Sequence, residues 1–179
     1  MKPFETERLS FRPIVEADFD AVHDVYSDPE TMTFHGDGPF DRGKSREWLE
    51  RTLSRYDGGE LGFRAVIHRK TRDYIGHIGL LPQEAEGMRL TEVGYWLRRR
   101  FWGHGYATEG ARAVRDAGFE RLDVPRIVSL IHPGNAASQA VALKNDMRRE
   151  REVVWRGRTH LLYSIERAVW ENLPRTESP

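Results

Sequence analysis

The chain is 179 residues long, and its 28 Lys+Arg balance 28 Asp+Glu to a formal charge of zero, which excludes the broad positive field by which proteins hold nucleic acid through its backbone. It has no cysteine, so disulfide frameworks, thiolate nucleophiles and Cys-ligated zinc are excluded too. Met1 to Pro13 is charged and lacks the apolar run of a signal peptide, and no stretch reaches the roughly 20 apolar residues of a membrane span. The expectation is therefore a cytoplasmic protein with neither a membrane nor a nucleic-acid partner.

A chain of this size is expected to form one domain over residues 1–179, with a core from about 5 to 168 and a frayed tail at 173–179. Arg8 to Ile14 alternate polar and apolar side chains, the period of a half-buried strand. Phe19, Val22 and Tyr26 then recur at helical spacing, and Asp28-Pro29 closes that helix. His35 to Gly43 reads as loop, and Trp48, Leu49, Leu53 and Tyr56 mark a second helix from Ser45 to Gly58-Gly59. Three strands follow at about 61–68, 74–81 and 90–98, separated by Arg69 to Asp73 and by Pro82 to Gly87, which predicts an antiparallel meander. Next come a helix from His104 to about Gly118, a strand from Arg126 to Ile131 and a helix from Ala136 to about Asn145. Two strands near 150–155 and 159–167, joined at Arg156-Gly157, end the order. Strand, helix, strand in this half implies at least one parallel pairing.

The strand Glu92 to Leu97 runs through Arg98 to Glu109 into a helix, with glycines at 103 and 105. Strand, glycine loop and helix N-terminus together make an anion-binding architecture, although Gly-x-Gly alone is equally a tight turn. The third glycine of a dinucleotide fingerprint falls on Thr108, and no βαβ unit precedes it, so that class is disfavoured.

Gly38 to Ser45 matches the phosphate loop of nucleotide triphosphatases, the remote alternative. Its context fails, because Pro29 to Gly36 is not an apolar strand and Asp37 and Asp41 repel phosphate. The seven histidines lack metal-ligand spacing, so no metal is expected, and no Gly-x-Ser-x-Gly elbow is present. Arg148 to Arg158, with Trp155 among arginines, could be a nucleic-acid platform, but alternation puts Val153 and Trp155 on one face, which reads better as a sheet edge.

Taken together, Thr6-Glu7-Arg8-Leu9, Arg12-Pro13, Gly94-Tyr95-Trp96-Leu97, Arg100-x-x-Gly103-x-Gly105, Trp102 to Glu109 and Asn135-x-x-Ser138 resemble the GNAT superfamily of N-acetyltransferases over about residues 5–168. The closest branch is that of the ribosomal-protein N-terminal acetyltransferases and their relatives. The resemblance implies an α/β fold: a mixed, mostly antiparallel sheet of about seven strands, splayed between the fourth and fifth and flanked by about four helices. Acetyl-CoA would be the acetyl donor, with its pantetheine in the gap. Trp96, Leu97 and Arg98 would face the pantetheine. Gly103, His104, Gly105, Tyr106, Ala107 and Thr108 would form the pyrophosphate loop, with Arg98, Arg99 and Arg100 near the phosphates, and Asn135 would contact coenzyme A. His35 and Asp37 fall in the region that lines the acceptor side, though both could equally face water.

An amine attacks a thioester only when neutral, so a base is needed. Glu92 shares a strand face with Gly94 and Trp96, and the resemblance places an acid there, although an exposed strand carboxylate fits the pattern as well. The tyrosine that many members use to protonate the thiolate would fall on Ala142, and Ser138 is the residual candidate, or else a helix cap. A second departure is Asp146-Met147, where relatives carry Gly-Phe. The expected function is acetyl transfer to a primary amine, on a protein N-terminus or a small molecule, by a monomer or homodimer. A non-catalytic acyl-CoA-binding domain is the alternative.

Overall fold

A computed structural model describes residues 4–54, 56 and 61–174. Along the chain run β1 (Phe4–Glu5), β2 (Leu9–Pro13), α1 (Phe19–Ser27), α2 (Arg42–Ser54), β3 (Gly62–His68), β4 (Tyr74–Ala85) and β5 (Met88–Leu97). They are followed by α3 (Tyr106–Arg121), β6 (Arg126–Ile131), α4 (Ala136–Lys144), β7 (Arg148–Trp155), β8 (Arg158–Glu166) and α5 (Arg167–Glu171). The strands form one eight-stranded sheet in the order β1-β2-β3-β4-β5-β6-β8-β7, antiparallel throughout except between β5 and β6.

Side-chain alternation splits the core between the two faces of the sheet. On one face Leu9, Phe11, Ile78, Leu80, Val93 and Leu97 pack against Ala111, Val114 and Phe119 of α3 and Ala142 of α4. On the other, Phe63, Ala65 and Ile67 pack against Val22, Val25 and Tyr26 of α1 and Leu49 of α2.

The parallel pair is almost unpaired: one register point, Glu92 opposite Val128, joins β5 to β6. Beyond it the strands diverge, so the sheet opens as a fork there. This is the splay expected between the fourth and fifth strands, displaced by one in number because β1 precedes them. β1 has only two residues, too few to show a period, and it is held by Phe4 opposite Phe11 with rings stacked at 4.4 Å.

α5 is not expected from the sequence, which reads as strand to residue 167, and three other boundaries differ in ways the structure explains. β4 does not end at residue 81 but continues through Pro82 to Ala85, paired with β5 down to Ala85 opposite Met88. Proline fits because the β3 partners stop at Leu80, so Pro82 stands where one side of β4 is an open edge and its missing N–H costs no ladder bond. α2 begins at Arg42, before Ser45, because the Asp41 carboxylate accepts the Lys44 amide at 2.8 Å and caps it. α3 begins at Tyr106 because Gly105, at φ 80°, is left-handed and cannot be a helical turn. The helix end expected at Gly58-Gly59, and most of the expected frayed tail, lie outside the described residues.

Candidate active site

Glu92 sits at the crotch of the fork, between Leu81 on β4 and Val128 on β6. The residue is only 7% exposed. Gln83 Nε2 donates to its Oε2 at 2.7 Å, and the Leu130 amide donates to its Oε1 at 3.3 Å. The carboxylate thus serves as acceptor for a β6 amide that the divergence deprives of a strand partner. A second bond spans the fork where Ser129 Oγ donates to the Val93 carbonyl at 3.1 Å. Burial raises the Glu92 carboxyl to about 7, against the pull of the Gln83 and Leu130 hydrogen bonds. A buried carboxyl poised there can hold or release a proton near neutral pH.

The loop after β5 carries the anion-binding features. Gly103 and Gly105 both take positive φ, 78° and 80°. The Gly105 amide has no backbone acceptor among the described residues. The first three amides of α3, those of Tyr106, Ala107 and Thr108, have none by helix geometry, and the dipole of a 16-residue helix stands behind them. A pyrophosphate fits this cradle without a lysine. On β5 the Arg98 amide donates to Ile75 of β4 at 2.8 Å, so by alternation Trp96 also faces β4 while the Leu97 amide points into the fork. Trp102 Nε1 donates to the Leu97 carbonyl at 2.8 Å and folds the loop back onto the strand end.

The three arginines each meet an acid: Arg98 pairs with Asp24 of α1, Arg99 with Glu30 at 2.7 Å and Arg100 with Asp73 at 3.2 Å. Their guanidinium groups thus bind the loop to its neighbours. His104 is exposed, its ring lying near-parallel to that of Tyr106 with centroids 5.8 Å apart.

Across the fork, Asn135 caps α4 by accepting the Ser138 amide on Oδ1 at 3.0 Å. Capping is therefore done by Asn135, and Ser138 contributes an amide to it. On β5, burial pushes the Tyr95 phenol up to about 12, with Ser138 opposing the rise. From sequence Tyr95 was legible only as part of the Gly94 to Leu97 motif, without a role of its own. Ala142 is buried in the core, with no hydroxyl to offer.

On the other face the turn after α1 leans over the fork. Phe34 lies near-parallel to His132 at 5.2 Å, and Arg158 Nη2 donates to the Gly36 carbonyl at 3.0 Å. His35 packs edge-on against Tyr26, Phe40 and Trp96, and burial lowers its pKa against the opposing pull of Asp37, 3.9 Å away. Asp37 is exposed and, with Phe40, Lys44, Glu47 and Arg51, lines a cavity of about 280 Å³.

The phosphate-loop reading fails on structure. Gly43, Lys44 and Ser45 lie inside α2, and the buried Ser45 hydroxyl donates to the Asp41 carbonyl at 2.9 Å, so it is turned away from any ligand. Among the described residues no cluster of three or more His, Asp or Glu could hold a metal ion.

These features agree with what the chain resembles. The acetyltransferase (GNAT) domain family matches residues 8–148. The uncharacterized protein YkkB of Bacillus subtilis is 34% identical over 143 residues, 79% of this chain and 83% of that one. An uncharacterized N-acetyltransferase, p20 of Bacillus licheniformis, is 30% identical over 153 residues, covering 85% and 84%. Among solved structures, an acetyltransferase from Agrobacterium tumefaciens superposes with a TM-score of 0.79 at 29% identity, covering 93% of this chain and 95% of that one. A glycine loop on a helix N-terminus, a sheet forked beside it, a buried carboxyl at the crotch and a family match across most of the chain lead to one assignment: the protein belongs to the GNAT family of acetyltransferases.

Proposed function

We propose that the protein transfers acetyl from acetyl-CoA to a primary amine, on a protein N-terminus or a small molecule, by direct attack within a ternary complex. The observation that carries this reading is the Glu92 carboxyl, buried at the crotch of the fork with its pKa raised to about 7. Gly103, Gly105 and the first amides of α3 hold the pyrophosphate, the Leu97 amide meets the pantetheine in the fork, and Asn135 borders it from α4. Glu92 takes the proton that the ammonium must lose, and a neutral nitrogen then forms its bond to the thioester carbon. The C–S bond breaks, the thiolate receives a proton, and the amide and free thiol leave. Ser138, with the protonated Tyr95 phenol behind it, is the group nearest in role to the tyrosine that Ala142 replaces.

His35 and Asp37 lie on the acceptor side, where Asp37 offers a carboxylate to a cationic amine and His35, kept neutral by burial, an uncharged wall. His35→Ala is expected to raise KM for the amine while acetyl-CoA affinity holds. The resemblance of the sequence motifs to ribosomal-protein N-terminal acetyltransferases makes N-terminal peptides the first acceptors to try, and a panel of peptides and small amines, read by thiol release, tests the reading. Thiol release that depends on the amine supports it; acetyl-CoA that binds but is never turned over by any amine speaks for a binding domain instead.

A further inference from the structure

The Thr6 to Leu9 turn between β1 and β2 lies about a hundred residues from the glycine loop, yet it is bonded to it. Arg8 Nη1 donates to the His104 carbonyl at 2.9 Å, and Arg8 Nε donates to Glu109 Oε2 at 2.6 Å. The other carboxylate oxygen of Glu109 accepts the Arg8 amide at 3.0 Å and the Thr6 hydroxyl at 2.6 Å. The Arg8 guanidinium also lies 4.7 Å over the Tyr106 ring. The turn is fixed in its own right: the Thr6 amide donates to the Leu9 carbonyl at 2.8 Å, and Arg69 Nη1 donates to the Thr6 carbonyl at 2.7 Å.

We infer that Arg8 is a positioning residue for the donor's pyrophosphate, acting through the His104–Gly105 peptide and through Glu109. In a trans peptide the C=O and the next N–H point in opposite directions. Holding the His104 carbonyl toward Arg8 therefore turns the Gly105 N–H away from it, toward the side where the pyrophosphate is read. The second effect is electrostatic. Glu109 is the one acid in the first turn of α3, where an anion is to bind, and a bare carboxylate there repels phosphate. Burial works to raise its pKa, but the bonds from Thr6 and Arg8 outweigh that and hold it below the ordinary value, so it stays charged and Arg8 neutralises it. The motif quoted from the N-terminus thus acts on the donor site without touching the donor.

This inference rests on the acetyl-CoA reading above, and the test separates the two. Acetyl-CoA affinity is measured by calorimetry for wild type, Arg8→Ala and Arg8→Ala/Glu109→Gln. Turnover is measured with acetyl-CoA and with S-acetylpantetheine, which lacks the pyrophosphate. Arg8→Ala is expected to weaken acetyl-CoA binding about tenfold, with kcat/KM for S-acetylpantetheine falling by less than about twofold. Adding Glu109→Gln is expected to recover about threefold, because the repelling charge is gone. If Arg8→Ala does not fold, Arg8→Lys keeps the charge but cannot reach both His104 and Glu109, and a rise of about threefold in acetyl-CoA Kd alone is expected. Equal losses on both donors, unchanged acetyl-CoA affinity, or no recovery in the double variant overturns the inference. Failure of wild type to bind acetyl-CoA overturns the donor reading itself.

Discussion

Glu92 and His77 are both buried, and folding moves their pKa values in opposite senses. Burial raises Glu92 from 4.5 to about 7, so the stability it lends is fully present below 4.5 and is lost as pH rises through 7. Burial lowers His77 from 6.5 to about 3, so its contribution is present above 6.5 and is lost as pH falls toward 3. His77 is held neutral between Tyr26 Oη, 2.9 Å from Nε2, and Tyr74 Oη, 3.3 Å from Nδ1. Between 4.5 and 6.5 the unfolded chain carries the histidine proton and the folded chain the glutamic proton, so the two effects cancel. Wild-type stability, as far as these two groups set it, is expected to be flat in that window. Glu92→Gln unmasks the histidine and makes stability rise with pH by about 1.4 kcal/mol per unit. His77→Gln makes it fall by a similar amount. Denaturant midpoints at three pH values between 4.5 and 6.5 check this, and equal slopes in the two variants would refute both pKa assignments. At pH 8 Glu92→Gln is expected to be more stable than wild type by on the order of 3 kcal/mol, since no buried carboxyl must ionise. Its turnover at neutral pH should fall by about a hundredfold or more. The wild-type kcat/KM should rise through about pH 7, and that inflection should vanish in the variant.

At the scale of elements, the departure at Asp146-Met147 is accommodated rather than damaging. Asp146 takes the left-handed conformation at φ 60° that ends α4, its carboxylate lies 3.1 Å from Arg115, and the Met147 amide donates to the Ala142 carbonyl at 3.1 Å. Met147 is buried in the core. Asp146→Ala is expected to cost about 1–2 kcal/mol through the positive φ, and Asp146→Gly less, because glycine relieves that strain while the buried Arg115 guanidinium keeps Asp116 and the Asn145 carbonyl as partners. Chemical denaturation separates them, and an alanine variant as stable as wild type would contradict the strain argument.

Element order was legible from periodicity and glycine placement, because amphipathic spacing reports which face is buried. What the sequence hid were features set by neighbours. Pro82 reads as a break until the edge beside it is known, and β1 is too short to carry a pattern. Glu92 was legible as a candidate base from its strand face, but its partners Gln83 and Leu130 come from two other strands. Arg12 was legible only as part of a motif; the structure shows it gripping Asp18 through two bonds of 2.7 Å where β2 leads into α1.

For the whole molecule the decisive feature is that β5 and β6 meet at a single point and then part, with α3 and α4 on one face and the turn after α1 over the other. The glycine loop follows the β5 end that parts from β6, so the acetyl-CoA proposed to bind the α3 amides would run along the fork toward Glu92. Gly105 is the residue on which that route turns: at φ 80° its place in the loop is strained for any L side chain, and a Cβ there would stand 3.4 Å from Arg8 Nη2. The most direct measurement is the thermal midpoint of wild type and Gly105→Val with and without saturating acetyl-CoA. At a hundred times its Kd a ligand adds ~2.7 kcal/mol, which for a chain of this size is a rise of roughly 5–11 °C. That rise in wild type, lost or much reduced in Gly105→Val, is the result this account predicts. A wild-type midpoint that acetyl-CoA does not move would contradict it.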